Sequence, residues 1–232
     1  MKLPSQIAAL LFDFDGVIVK STSIRIDGFR DIFAHEPSAL VERLIEYHVA
    51  NGGLSRYAKI RWFYETLKRE PCSEDQLARL AQRFKDIMLE RMKAPGLVIP
   101  GALDFIRAVH GRVPMHICSG SDGEELREIC KAHGIDSYFE TVEGSPTPKD
   151  ELVRNLMAEF GYDAAHTVFI GDAINDLTAA KANGLWFYGM NNEALRANSD
   201  AYIDDLVSYQ REFDHVISRG DAQLRGQKTN PP

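Results

Sequence analysis

Ile7-Ala8-Ala9-Leu10-Leu11-Phe12-Asp13-Phe14-Asp15-Gly16 is the stretch on which the fold turns. Ile7 to Phe12 is apolar without alternation, the pattern of a short strand buried on both faces. Two carboxylates follow at its C-terminal end, where ligands sit in open α/β sheets. An extended backbone points Asp13 and Asp15 the same way, so they repel unless a cation or a shared proton separates them. Gly16 lets the chain turn off sharply after the second acid. A solvated acidic turn would read the same in isolation, so the remainder of the chain decides.

From Ser21 to about Arg91 the periodicity is helical. Ile24, Ile26, Phe29, Ile32 and Phe33 fit a first helix, and Leu40, Leu44, Ile45 and Val49 a second, stopped by Asn51-Gly52-Gly53. Ser55 opens a third with Tyr57, Ile60, Phe63, Tyr64 and Leu67, ended by Pro71, and Ser73 with Gln76 caps a fourth. After Pro95, Pro100 and Gly101 the pattern alternates: helix 102–110, strand 113–118, helix 122–133, strand 138–142, helix 149–160, strand 167–170, helix 174–183, strand 185–188, strand 202–203 and a helix from Leu206 to about Ile217. Such alternation predicts a parallel sheet with helices on both faces. The first strand belongs to it, which makes the helical region an insertion. The expected organisation is a core of residues 1–17 and 93–218, an inserted unit of 18–92, and a polar, disordered tail of 219–232.

The composition sets limits on partners. Lys and Arg total 27 against 34 Asp and Glu, a formal net charge of −7, so no general attraction to nucleic acid or an anionic membrane is expected. No long apolar run suggests a membrane span or a secretory signal. Cys72, Cys118 and Cys130 are scattered, which fits reduced thiols in a cytoplasmic protein. Oligomeric state is not legible.

Three more polar clusters fall at predicted strand ends. Ser119-Gly120-Ser121-Asp122 puts hydroxyls and a flexible turn before a helix N-terminus, where Ser119 and backbone N–H groups suit an anion. Lys149 opens the following helix, a position the helix dipole disfavours for a cation unless fixed negative charge answers it. Gly171-Asp172 ends a buried strand, and Asp176 follows on the next helix. Asp13, Asp172 and the backbone carbonyl of Asp15 form an oxygen set suited to Mg²⁺.

Together these motifs resemble the haloacid dehalogenase-like hydrolase superfamily, whose signature is Asp-x-Asp-Gly, a Ser or Thr after a strand, a Lys, and Gly-Asp-x-x-x-Asp. The resemblance implies a Rossmann-like doubly wound core, an inserted helical cap of the C1 type, and Mg²⁺-dependent hydrolysis of a small phosphomonoester through an aspartyl-phosphate. By that resemblance Asp13 is the nucleophile and Asp15 the acid and base. Ser119 and Gly120 hold phosphate, Lys149 stabilises charge, and Asp172 and Asp176 complete the metal site. The cap loop 51–57 is expected over the aspartates, with Arg56, and less strongly Lys59, gripping the rest of a phosphoglycolate- or sugar-phosphate-like substrate. Gly52 to Arg56 resembles the β-phosphoglucomutase branch, although Arg25 stands where that branch has a cap His, so a phosphosugar mutase is the alternative. A non-catalytic binding protein on the same fold is the alternative of another class.

Overall fold

A computed structural model describes residues 4–214 and Val216. The expected tail, 219–232, and the end of the last helix at Ile217 lie outside the described residues. Six strands form one parallel sheet: β1 (Ala9–Phe12), β2 (Met115–Asp122), β3 (Thr141–Ser145), β4 (Thr167–Gly171), β5 (Trp186–Gly189) and β6 (Ala201–Tyr202), in the order β3-β2-β1-β4-β5-β6. Every residue of β1 is buried, as its unbroken apolar run requires. Alternation sends Leu10 and Phe12 into one core layer with Phe105, and Ala9 and Leu11 into the opposite one with Val153, Leu156 and Phe169. Helices α5 (Pro100–Val109), α6 (Gly123–Ala132), α7 (Lys149–Phe160) and α8 (Ile174–Ala182) cover the sheet, with further helical backbone over 206–214. The chain runs outward from β1 through β2 to β3 and returns on the other side at β4. The crevice between β1 and β4 is therefore the topological switch point, where open sheets of this kind bind ligands.

The inserted helices are α1 (Thr22–Ile32), α2 (Ser38–Ala50), α3 (Arg56–Trp62) and α4 (Glu74–Arg91). Aromatic contacts hold them together, with Phe29 and Phe84 ring centroids 4.5 Å apart, Phe33 and Phe63 at 4.2 Å, and Tyr47 stacked on Trp62 at 3.7 Å. Ser55 Oγ accepts from the Ala58 N–H and Ser73 Oγ from the Gln76 N–H, which satisfies donors at both helix starts. The segments entering and leaving the insertion lie side by side: the Lys20 N–H donates to the Leu97 carbonyl and the Ile99 N–H to the Ile18 carbonyl, both at 2.9 Å.

Three sequence expectations need correction. The third inserted helix does not stay α-helical to Pro71; it widens into a π-helical segment at Phe63–Lys68 and stops at Arg69, whose φ is 59°. The strand expected over 138–142 is Thr141–Ser145, because Asp136–Tyr138 makes a short 3₁₀ turn first. The strand expected to end at Cys118 runs on to Asp122, with a break in register between Cys118 and Asp122 where it pairs with β3. Ser119 and Gly120 thus lie in a bulge of the sheet, a device that re-aims side chains.

Candidate active site

Asp13 follows β1 directly and is buried, its N–H donating to the Ile170 carbonyl at 2.9 Å. Asp172 follows the adjacent strand β4, so parallel pairing alone brings the two acids together. Gly16 has φ +78°, and a Cβ there would lie 2.0 Å from Asp172 Oδ2. A side chain at position 16 would therefore suffer backbone strain and collide with the second acid. Asn191 and Asn192, just after β5, pin the two turns: their Nδ2 groups donate to the carbonyls of Gly16 at 2.8 Å and Asp172 at 2.9 Å.

Lys149 Nζ donates to Asp13 Oδ1 at 2.9 Å and also to Asp176 Oδ1. All three side chains are buried. Asp176 Oδ2 accepts from the Ala173 N–H at 2.9 Å, so one carboxylate caps α8 and fixes the lysine. Burial, and then the nearby Asp176, pushes the Asp13 carboxyl up to about 7. Burial and the Asp13 charge push Asp172 up to about 8. Burial would lower the Lys149 ammonium pKa, but the two carboxylates outweigh it and hold the group charged. The cluster carries more negative charge than one lysine neutralises.

Asp15 has a different environment. Its Oδ1 accepts from Arg25 Nε and its Oδ2 from Ser121 Oγ, each at 2.6 Å. Burial opposes ionisation of Asp15, yet the Arg25 charge and these bonds hold its carboxyl below the usual range. Arg25 also donates through Nη1 to Glu125 Oε1 at 2.9 Å, and Arg56 Nη2 donates to Glu125 Oε2. Glu125, on α6 of the sheet unit, is fully buried between two guanidiniums of the insertion. Tyr57 Oη adds a bond to Asp122 Oδ2 at 3.0 Å.

A cavity of about 370 Å³ lies between the insertion and the strand ends. Asp13, Asp15, Ser119, Gly120 and Asp172 line its floor, and Arg25, His48, Gly53, Leu54 and Lys59 its roof. Ser119 Oγ accepts from the Ser121 N–H at 3.2 Å, holding the hydroxyl at the bulge. The loop 51–54 lies against the sheet loops, with Asn175 Nδ2 donating to the Gly53 carbonyl at 2.9 Å. Asp13, Asp15, Ser119, Gly120, Lys149, Asp172 and Asp176 are thus drawn to one place, with Lys59 facing them. Arg56 is not among the residues lining this cavity; its guanidinium is committed to Glu125 and lies over the Phe84 ring, 4.8 Å from the centroid. Arg25, Ser121, Glu125, His48, Asn191 and Asn192 are members of the site or its supports for which the sequence reading assigned no role.

Asp13, Asp172 and Asp176 each offer an oxygen, all within 4.8 Å of one another. Hard oxygen donors in an over-negative cluster, with Asp13 and Asp176 buried and Asp172 half-buried, fit a divalent cation of the Mg²⁺ type. Both Asp176 oxygens already accept bonds, so the uncommitted lone pairs are foremost those of Asp13 and Asp172.

Residues 7–184 match the sequence profile of the haloacid dehalogenase-like hydrolases. The chain belongs to that family. It is 29% identical over 184 residues to a phosphoglycolate phosphatase of Synechococcus elongatus, covering 76% of this chain and 80% of the relative. A 5′-nucleotidase of Pseudomonas aeruginosa is 30% identical over 138 residues, covering 53% of this chain and 62% of that protein. The crystal structure of a β-phosphoglucomutase from Clostridium difficile superposes with a TM-score of 0.72 at 15% identity, over 94% of this chain and all of the other, a likeness of fold. This member of the hydrolase family has the Rossmann-like core and helical insertion its motifs imply, and its named relatives include phosphatases. Among the described residues no helix is long and apolar enough to cross a membrane.

Proposed function

We propose that the protein is a Mg²⁺-dependent phosphatase of a small phosphomonoester, working through an aspartyl-phosphate on Asp13, with 18–92 as the cap over a core of 1–17 and 93–218. The observation that carries this reading is the placement of Asp13: buried at the switch point, bonded to Lys149 at 2.9 Å, and open to the cavity. One Asp13 oxygen attacks phosphorus as the bond to the ester oxygen breaks, and Lys149 offsets the charge that builds on both partners. Ser119 Oγ and the Gly120 N–H hold the phosphoryl oxygens. Asp15 supplies the proton to the departing oxygen and takes one from the water that then attacks phosphorus, freeing phosphate and the Asp13 carboxylate. In the arrangement seen, Asp15 is the ionised member of that cycle, and Arg25 must yield before it carries a proton. Asp13, Asp172 and the Asp15 carbonyl would hold Mg²⁺, with Asp176 ligating it or orienting its surroundings. When bound, the ion withdraws charge from the phosphoryl oxygens.

A net charge of −7 supports a small-molecule substrate rather than nucleic acid. Three buried free cysteines are compatible with a reducing, cytoplasmic setting. The test is release of p-nitrophenol from p-nitrophenyl phosphate by wild type with and without Mg²⁺, and by Asp13→Asn. Turnover that needs the metal and is lost in the variant supports the reading; no turnover in wild type, or survival in the variant, refutes it. A phosphosugar mutase would instead isomerise a sugar phosphate with little release of phosphate.

A further inference from the structure

The hydrogen-bond ladder between β4 and β5 ends where the catalytic floor begins. Gly171 pairs with Gly189, and the Met190 N–H donates to the Gly171 carbonyl at 3.0 Å. Beyond that point two side-chain amides take the place of backbone donors. Asn192 Nδ2 donates to the Asp172 carbonyl at 2.9 Å. Asn191 Nδ2 reaches further, from the β5 side of β4 to the Gly16 carbonyl in the turn after β1, at 2.8 Å. The two carbonyls belong to residues already in contact, since a Cβ on Gly16 would lie 2.0 Å from Asp172 Oδ2. Consecutive residues of one loop therefore hold both sides of the contact between the two acid-bearing turns. An extended pair would send its side chains to opposite faces. Asn191 instead has φ 54°, in the left-handed region that asparagine tolerates, and both residues line the cavity. Asn192 Oδ1 accepts from the Ala194 N–H at 3.1 Å, which fixes the end of its amide that faces Asp172. Asp13 and Asp172 carry like charges side by side, and repulsion spreads turns that nothing holds.

Resting on the Mg²⁺-dependent reading above, we infer that Asn191 and Asn192 are positioning residues that set the affinity of the floor for a divalent cation. They act through the backbone. Asn192 fixes the turn that carries the Asp172 carboxylate, and Asn191 fixes Gly16, whose peptide bond with Asp15 contains the carbonyl offered to the ion. Both amides are neutral, so the brace contributes geometry and adds no charge to the site. The bonds are exposed or only partly buried, which keeps their share in overall stability small. Groups that orient metal ligands in this way typically decide about 10- to 100-fold in metal affinity.

The experiment titrates Mg²⁺ into the full-length protein without substrate, by isothermal calorimetry, for wild type, Asn191→Gly and Asn192→Ser. Glycine keeps the left-handed backbone and removes the amide. Serine keeps an acceptor for the Ala194 N–H and is too short to reach the Asp172 carbonyl. Each variant is expected to bind Mg²⁺ about 10- to 100-fold more weakly than wild type, with a metal-free melting temperature lowered by no more than about 4 °C. In turnover of p-nitrophenyl phosphate the Mg²⁺ requirement rises by the same factor, while KM for the ester moves less. Wild-type Mg²⁺ affinity in a folded variant overturns the assignment of that residue: with a lowered melting temperature the amide serves structure alone, and with a raised KM it is a substrate contact. If one variant does not fold, the other decides. Weakened Mg²⁺ binding in a protein that hydrolyses no phosphomonoester upholds the inference and removes the phosphatase reading. Absence of Mg²⁺ binding by wild type overturns the inference and takes the metal out of that reading.

Discussion

The carbonyl oxygen of Gly53 in the cap loop sits where a side chain on Gly120 would begin: a Cβ at position 120 would lie 1.9 Å from it. Cap and core therefore meet backbone to backbone directly over the Ser119–Gly120 bulge. Gly120→Ala must lift the loop, admitting water and displacing the roof. Misplacement of about 1 Å costs on the order of 10²-fold in rate, so kcat/KM should fall by about that factor in steady-state assays. The unfolding midpoint should move by less than about 4 °C, because the clash is relieved by opening rather than by unpacking the sheet.

Glu125 is the core's answer to two cap guanidiniums. Glu125→Gln preserves shape and removes the charge, which leaves Arg25 and Arg56 buried without a shared counter-ion. Breaking a buried pair from one side costs about 3–5 kcal/mol. Urea unfolding should show a lower midpoint at similar m-value. A cost under about 1 kcal/mol would mean that the network contributes little to cap docking.

Asp13 and Asp172 ionise later in the folded chain than in the unfolded one, at about 7 and about 8 against 3.8. Between the unfolded and folded values the folded state holds more protons, so these groups make stability fall as pH rises through that window. In chelator the melting temperature at about pH 8 should lie below that at about pH 6 on account of this pair. Mg²⁺ should raise it, and by more at the higher pH, where the carboxylates are free to bind. Asp172→Asn should flatten both trends; an Mg²⁺ shift of equal size in that variant would remove Asp172 from the metal site.

Much of the floor was legible because it is local. A run such as Ala9–Phe12 or Thr167–Gly171 marks a buried strand, and an acid at its end marks the ligand edge. The parallel order then brings Asp13 and Asp172 together without further information. The roof was less legible. Arg25 meets Glu125 across 100 residues, and a single arginine on an amphipathic helix carries no local sign of that partner. From its loop alone Arg56 reads as a substrate grip, whereas in the fold its guanidinium meets a carboxylate of α6. His48 lies on the buried stripe of α2, where a polar residue is indistinguishable from a satisfied core histidine. The extension of β2 through Ser119–Asp122 has no sign in the sequence, because Gly and Asp are poor strand formers. Pairing of Asp122 with Ser145 across the bulge overrides that preference.

The proposed chemistry requires that Asp13 itself become phosphorylated. Rapid acid quench of the protein turning over p-nitrophenyl phosphate with Mg²⁺, followed by peptide mass spectrometry, tests this directly, and Asp15→Asn should slow breakdown of the intermediate and raise its yield. A phosphoryl group on Asp13, absent from Asp13→Asn, is the predicted result. Sustained turnover with no phosphoryl group on Asp13 in either wild type or Asp15→Asn would rule out Asp13 as the nucleophile.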